Sequence, residues 1–168
     1  LGVDAYRDEL GLLPEAVENY LLRLGWGHGD AEIISREDAI GWFDLDAVGR
    51  SPSRFDLKKL ENLNGHYMRA ADDARLVALI APGVAAALGR ELTQADLSLL
   101  QRTMPEMKKR ASNLNDLTNG SLFWLRTRPI PMDESAVKLL ASATPGLLDR
   151  TRAAFAAQQD WSVAALEQ

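Results

Sequence analysis

The sequence of 168 residues contains no cysteine and only two histidines. Without cysteine the chain can form neither a disulfide nor a thiolate metal site, and this composition suits a reducing compartment such as the cytosol. The two histidines, His28 and His66, lie in no recognisable nucleophile motif, so the sequence does not indicate a serine–histidine–carboxylate triad. We therefore expect no catalytic residue in this stretch.

Long apolar runs are also lacking. The longest, at residues 76–89, is broken by Pro82-Gly83 and is too short to span a bilayer. No secretory signal is recognisable, so we predict a cytoplasmic protein that does not contact a membrane. The first residue is Leu1 rather than methionine, which favours a fragment of a longer chain.

Patterns that bind phosphate or metal are missing as well. Residues 25–30 are rich in glycine but lack the GxGxxG or Walker spacing that lets backbone amides surround a phosphate. His28, Asp30 and Glu32 could ligate a metal, but one histidine with two loop carboxylates is a common coincidence. We predict neither a nucleotide site nor a metal site here.

The sequence does contain strong helical signals. Asp56 is a good N-cap, and Leu57, Leu60, Leu63 and Tyr67 follow it at helical spacing, which predicts a helix with one buried face. Pro14, Ser35, Thr93 and Asp133 mark further helix starts, whereas Pro82-Gly83 and Pro105 are expected to interrupt their helices.

These signals predict an all-α protein of two packed helical subdomains, residues 1–70 and 71–168. The apolar residues that we expect to be mostly buried are Leu13, Leu21, Leu24, Trp42, Phe43, Leu60, Leu97, Leu100, Phe123 and Trp124.

Charge is distributed unevenly. The chain has a formal net charge of −5, and residues 1–70 hold eight basic and thirteen acidic side chains. Residues 101–128, in contrast, hold six basic side chains against two acidic ones. Such a local basic patch can bind a polyanion on an acidic protein, although a solvated helix face is the simpler alternative.

Several strings of residues together resemble the region after the catalytic core in bacterial glutamyl-tRNA synthetases. Residues 55–69 read FDLKKLENLNGHYMR, and the family's order is also followed by Tyr6-Arg7-Asp8, Leu13-Pro14-Glu15-Ala16, Asn19-Tyr20-Leu21, Leu24-Gly25-Trp26 and Arg50-Ser51-Pro52. From Asp72 onwards the similarity is looser and depends on Lys108-Lys109-Arg110, Arg128-Pro129 and Asp160-Trp161-Ser162. The resemblance, to the type that discriminates between tRNAs, implies a stem-contact region at 1–70 and the first anticodon-binding helical subdomain at 71–168.

Members of this family use ATP to attach glutamate to tRNA(Glu). Their core carries His-Ile-Gly-His-like and Lys-Met-Ser-Lys-Ser-like signatures, and this sequence has neither. The resemblance thus implies that ATP binds to a core in the longer parent, and that this stretch alone is inactive and without a cofactor. It also implies a monomer that binds tRNA(Glu), with tRNA(Gln) as a second candidate.

The resemblance implies two sets of tRNA-contacting residues. The first faces the inner side of the tRNA and comprises Lys58, Lys59, Asn62, Asn64, Tyr67 and Arg69. The second lies at the anticodon and comprises Arg102, Lys108, Lys109 and Arg110, with Arg110 against the third base. An arginine suits the acceptor edge of the cytosine in glutamate tRNA better than the donor edge of the guanine in glutamine tRNA.

Two other classes of function remain open on the sequence. One is a helical protein-interaction module without an RNA role, and the other is a small enzyme with an unrecognised site. Co-purification of tRNA would separate the first from a tRNA-binding protein. The related enzyme that glutamylates queuosine is disfavoured, because it lacks the helical anticodon region.

Overall fold

The computed structural model describes residues 2–50 and 52–166, and every regular element within them is helical. A π-helical turn at Ala5–Glu9 and a 3₁₀ turn at Leu45–Ala47 accompany the α-helices. These are α1 (Pro14–Gly25), α2 (Arg36–Trp42), α3 (Leu57–Ala70), α4 (Asp73–Leu88), α5 (Gln94–Met107), α6 (Leu114–Leu125), α7 (Glu134–Ala141), α8 (Leu147–Ala157) and α9 (Val163–Leu166). The prediction of an all-α protein is confirmed.

Most helices begin where the sequence places a capping residue. The side chains of Ser35, Asp56, Thr93 and Asp133 each accept a hydrogen bond from the backbone N–H three residues further on, as predicted. Pro14 occupies the first turn of α1, where its missing N–H would have had no partner. These starts are local events, because each depends on residues within one turn of the helix.

The chain divides into two compact units, Leu1–Thr127 and Arg128–Gln168. In the first unit α1 packs on α2 and α3, while α4, α5 and α6 pack on one another. One apolar cluster joins α1 to α3 through Ala16, Tyr20 and Leu60. The larger one fills the space between α4, α5 and α6 and also receives Leu13 and Met68 from the earlier helices. Burying a leucine or methionine side chain in these clusters contributes about 1.5–3 kcal/mol.

The predicted core is only partly correct. Leu13, Leu60 and Leu100 are buried as expected, and Leu24 and Leu97 are half-buried. The prediction is wrong for residues whose side chains are exposed: Leu21, Trp42, Phe43, Phe123 and Trp124. In α6 the core-facing side is formed by Leu117, Ser121, Leu122 and Leu125, which turns Phe123 and Trp124 towards solvent.

The two expected helix breaks do not occur. α4 continues through Pro82-Gly83, and α5 continues through Pro105. A proline inside a helix removes one hydrogen bond, but packing can outweigh this cost. Ile80 and Val84 on either side of Pro82 are fully buried, and Gly83 lies against Thr118 of α6, where a Cβ would come within 3.3 Å of the threonine methyl. The α4–α6 contact therefore holds α4 together.

The second unit contains α7, α8 and α9, and each side chain for which the structure gives burial there is at least partly exposed. The predicted division between residues 70 and 71 concerns which part of the chain contacts the stem of the tRNA and which part contacts the anticodon. That division stays a prediction. In the described part of the chain, no helix combines the length and apolar character needed to cross a bilayer.

Candidate nucleic-acid interface

The outer face of α3 carries a stripe of polar side chains. Lys58, Asn62 and Arg69 are four and seven residues apart and so lie on one side of the helix, with Lys59 a quarter turn away. All four are exposed, and no ion pair holds the three cations among the described residues. Because Leu60, Leu63 and Met68 bury the opposite side, α3 presents this stripe, which we call the α3 cationic face, to solvent.

Asn64 does not belong to that face, although the sequence resemblance placed it among the tRNA contacts. Its side chain is 0 % exposed. The side-chain Oδ1 accepts a hydrogen bond from the Leu13 N–H at 2.8 Å, and Nδ2 donates to the Ser112 carbonyl at 2.6 Å. Asn64 is therefore not the predicted tRNA contact but an internal link between Leu13 and Ser112. Its spacing of four residues from both Leu60 and Met68 is the sequence signal that places it on the buried side.

Tyr67 is also turned away from the α3 cationic face. It is half-buried, and its hydroxyl donates to Asn19 Oδ1 at 2.8 Å. The ring borders a groove of about 520 Å³ between α1, α2 and α3 that Glu15, Glu18 and Glu37 also line. Burial, and then the negative charges of Glu15 and Glu18, raise the pKa of Tyr67. Arg36 lines the same groove and pairs with Glu18. Because the Tyr67 hydroxyl is engaged with Asn19, Tyr67 fits a supporting role better than the predicted contact.

Lys108 ends α5 and is engaged inside the protein. Its Nζ forms an ion pair with Asp73 Oδ1 at 2.8 Å and donates to the Ala71 carbonyl at 2.8 Å. The lysine side chain is 18 % exposed and that of Asp73 is 26 % exposed. The predicted phosphate contact at Lys108 is therefore corrected to a tie between the end of α5 and the junction of α3 with α4.

Arg110 lies between fixed neighbours and is itself exposed. Its backbone N–H donates to the Met107 carbonyl at 3.2 Å, and the next residue, Ala111, is buried. In the part of the chain that the structure describes, the Arg110 guanidinium forms no hydrogen bond or ion pair with another residue. Lys109 beside it is exposed and pairs with Glu106 Oε1 at 2.6 Å. The loop thus presents a guanidinium to solvent from a firmly held backbone.

Arg102 is further back on α5. It is exposed at the edge of a groove between α4 and α5, whose floor includes Ala74, Val77 and Leu97. Among the residues predicted to contact the anticodon, Arg102, Lys109 and Arg110 are therefore accessible to solvent, whereas Lys108 is engaged in an internal ion pair.

The loop that the sequence offered for a metal contains an aromatic stack. The ring of His28 lies on that of Trp42 with centroids 4.6 Å apart, and Trp26 is 6.1 Å away on a nearly parallel plane. Within residues 2–50 and 52–166, no three histidine or carboxylate side chains converge as metal ligands would. The stack could not be predicted from local sequence patterns, because its members are separated by up to sixteen residues.

Residues 74–168 match the family model described as the anticodon binding domain. The chain belongs to the anticodon-binding domain family. This match covers α4 to α9 and includes the loop that carries Arg110.

Relatives extend the similarity to the earlier helices. The chain is 67 % identical over 167 residues to glutamate–tRNA ligase 2 of Rhizorhabdus wittichii, which covers 99 % of this chain and 35 % of that protein. It is 54 % identical over 167 residues to glutamate–tRNA ligase 2 of Novosphingobium aromaticivorans, with coverage of 99 % and 34 %. A crystal structure of a glutamate–tRNA ligase from Elizabethkingia meningosepticum, in complex with its amino acid, matches with a TM-score of 0.70 and 28 % identity over 92 % of this chain and 30 % of that one.

The resemblance to glutamyl-tRNA synthetases found in the sequence is thus confirmed. The chain spans about a third of the length of the curated relatives it matches.

Proposed function

We propose that this chain is the tRNA-binding part of a glutamate–tRNA ligase, and that it recognises tRNA(Glu) by stem contacts and by an anticodon contact. The observation that carries the proposal is Arg110, an exposed guanidinium on a fixed backbone within the segment that matches the anticodon-binding family. A single-stranded loop is the usual target of sequence-specific RNA recognition, because its bases can be approached from their edges.

The two surfaces have different tasks in this proposal. The α3 cationic face supplies phosphate and sugar contacts, which fix the position of an RNA without reading its sequence. Arg110 supplies the base contact, because its fixed donors suit the acceptor edge of a cytosine at the third anticodon position. A guanine in the same place presents N–H donors at the corresponding positions of its Watson–Crick edge, so tRNA(Gln) is the competitor that this contact rejects.

The chemistry itself belongs to the whole protein. We propose that the parent attaches glutamate to tRNA using ATP, which binds to a part that this sequence does not contain, and that it acts as a monomer in the cytoplasm. This chain alone is then expected to show no glutamate-dependent pyrophosphate exchange, since positioning a tRNA cannot replace the groups that handle phosphate. Exchange above background by the purified chain would contradict this division of labour.

The binding proposal is tested with fluorescently labelled tRNA(Glu) transcript and the 168-residue chain over a series of salt concentrations. We expect Lys58→Ala and Lys59→Ala to weaken binding and to reduce the slope of log affinity against log salt by about one unit each. Lys138→Ala, which removes an exposed lysine from α7 in the second unit, is the matched control and is expected to leave the slope unchanged.

Two results would contradict the proposal. The first is equal affinity for the transcript and for an unrelated RNA hairpin of the same length. The second is a salt slope that Lys58→Ala and Lys59→Ala do not change.

A further inference from the structure

Arg110 can select a base only if its backbone is held where the base arrives. A recognition group is effective when the residues behind it restrict its position, and a displacement of about 1 Å removes much of the benefit. The structure contains several bonds that could provide this support for residues 108–113, which we call the Arg110 loop. The inference below depends on the proposed role of Arg110.

One set of bonds connects the far end of the loop to the beginning of the chain. The Leu114 N–H donates to the Gly11 carbonyl at 2.8 Å, and Asn115 Nδ2 donates to the Glu9 carbonyl at 2.9 Å. Gly11 has a φ of +65°, and a Cβ there would approach the Asn115 nitrogen to 3.1 Å, so only glycine fits this contact. The bond from Asn115 is exposed, however, and water can replace it at little cost.

A second set closes the loop on itself. The Asn113 side chain accepts from the Asp116 N–H at 2.8 Å, and Asp116 Oδ2 accepts from the Ser112 N–H at 2.8 Å. These bonds fix the turn into α6, but they join residues that are at most four apart. They cannot set the place of the loop relative to α3.

Two side chains link the loop to α3. Lys108, at its near end, reaches the Ala71 carbonyl and Asp73 at the junction of α3 with α4.

Asn64 holds the loop on the far side of Arg110 and joins three elements at one point. From the middle of α3 it accepts from Leu13 at the start of α1 and donates to Ser112, two residues after Arg110. Asn64 and its bond with the Leu13 N–H are fully buried, so removal of the amide leaves that N–H without a partner. The bond to Ser112 is part-buried, and its loss releases the carbonyl two residues after Arg110.

We infer that Asn64 is a positioning residue for Arg110: without touching RNA, it sets the place of the Arg110 loop relative to α3 and so determines how well the third anticodon base is discriminated. The α3 cationic face and the Arg110 loop are then held in register by the buried amide of Asn64 on one side of Arg110 and by the Lys108 tie on the other. This connects the surface proposed to bind the stem with the residue proposed to read the anticodon.

The test measures the affinity of the chain for tRNA(Glu) transcript and for the same transcript with guanine as the third anticodon base. For the wild type we expect the cytosine transcript to bind about 5- to 150-fold more tightly, as one good bidentate base contact allows. In Asn64→Ala we expect this ratio to fall close to one, while affinity for the guanine transcript and the salt slope are retained. Amide hydrogen exchange of residues 110–112 is expected to accelerate in the same variant.

Three further variants separate positioning from loss of stability. Val84→Ala removes part of a fully buried side chain on α4 and is expected to lower the melting temperature without changing the ratio. Asn115→Ala removes an exposed bond of the neighbouring segment and is expected to leave the ratio close to that of the wild type. Asn64→Asp keeps the acceptor for Leu13 but loses the donor to Ser112, so we expect it to behave like Asn64→Ala.

The outcomes distinguish this inference from the proposed function. If the wild type discriminates between the transcripts and Asn64→Ala and Asn64→Asp keep the full ratio, the positioning role is overturned. If Val84→Ala loses the ratio as well, general destabilisation explains the effect and the inference also fails. If the wild type does not discriminate at all, the role of Arg110 fails, and with it the claim about discrimination. The exchange rates then still decide whether Asn64 holds the loop, and unchanged rates would overturn that part too.

Discussion

Two connecting segments in the first unit differ in how many bonds hold them and in how much of their surface is exposed. The Arg110 loop is held by Asn64 of α3, by Asp73 at the start of α4 and by the cap of α6, and Ala111 in its middle is buried. Residues 41–50, which comprise the last two residues of α2 and the segment that follows it, are all exposed. Their bonds to the rest of the unit include the one from Trp26 Nε1 to the Asp44 carbonyl and the one from the Gly49 N–H to the Gly25 carbonyl.

The difference separates two uses of a connecting segment. A segment that presents one side chain for recognition benefits from a fixed backbone, because little freedom is then lost on binding. A segment with many exposed apolar side chains and few bonds contributes little to the stability of the unit. The comparison therefore predicts that substitutions around the Arg110 loop are costly and that those in residues 41–50 are not.

The largest effect is expected at Met104, which is fully buried in the last turn of α5 before the loop. We expect Met104→Ala to lower the free energy of unfolding by about 2–5 kcal/mol, because it removes apolar contacts and leaves a cavity. Urea denaturation followed by circular dichroism measures this change. A decrease in the free energy of unfolding of less than about 1 kcal/mol would show that the residues preceding the loop are not tightly packed.

A smaller effect is expected at Lys108. Lys108→Met breaks a half-buried ion pair with Asp73, and we expect it to cost about 1–2 kcal/mol after allowing for partial screening by solvent. Lys109→Met is the matched control, because the pair of Lys109 with Glu106 is 62 % and 77 % exposed, and it should change stability by less than about 0.5 kcal/mol. Equal losses from the two variants in urea denaturation would contradict the assignment of Lys108 as a structural tie.

The start of α5 gives a prediction about pH. Hydrogen bonds from Arg90, and then from Thr93, hold the pKa of Asp96 well below its usual value of 3.8. A carboxyl group whose pKa is lower in the folded state stabilises the fold above its unfolded pKa, and this contribution is lost as the pH falls towards the folded pKa. The stability difference between wild type and Asp96→Asn should therefore be fully present near neutral pH and shrink below about pH 4.

Thermal denaturation from about pH 6 to about pH 2 measures this difference. Asp38→Asn is the control: it replaces the carboxylate at the same position of α2, which accepts a hydrogen bond from the Ser35 hydroxyl at 2.8 Å and has no arginine partner among the described residues. A wild-type-to-variant difference for Asp96→Asn that does not change with pH would contradict the assigned ionic contribution.

The smallest effect is expected in residues 41–50. Leu45 is 77 % exposed, so Leu45→Ala should change the free energy of unfolding by no more than about 0.5 kcal/mol. A loss of 2 kcal/mol or more, on the order of that from Met104→Ala, would show that this segment is packed in solution and would remove the contrast.

Local features of this fold could be predicted from the sequence, and long-range ones could not. The caps at Asp56 and Thr93 were predictable, because donor and acceptor are three residues apart. The continuity of α4 through Pro82 was not, because it depends on Ile80, Val84 and the contact of Gly83 with α6. Propensity alone does not include this packing.

The same limit applies to the candidate site. The exposure of Lys58, Asn62 and Arg69 follows from helical spacing and was predicted. The engagement of Lys108 could not be predicted, because its partner Asp73 is 35 residues away in the sequence. The burial of Asn64 could be inferred from its spacing of four residues from Leu60 and Met68. Its bond to Ser112 could not, because Ser112 is 48 residues away in the sequence.

The central claim is that Arg110 reads the third anticodon base, and one measurement tests it directly. The affinity of the wild type and of Arg110→Gln is measured for tRNA(Glu) transcript and for the same transcript with guanine at that position, over a series of salt concentrations. We predict that Arg110→Gln reduces the discrimination by about 1–3 kcal/mol, mainly by weakening the cytosine transcript. An unchanged ratio accompanied by a flatter salt dependence would contradict the claim and would make Arg110 a phosphate contact instead.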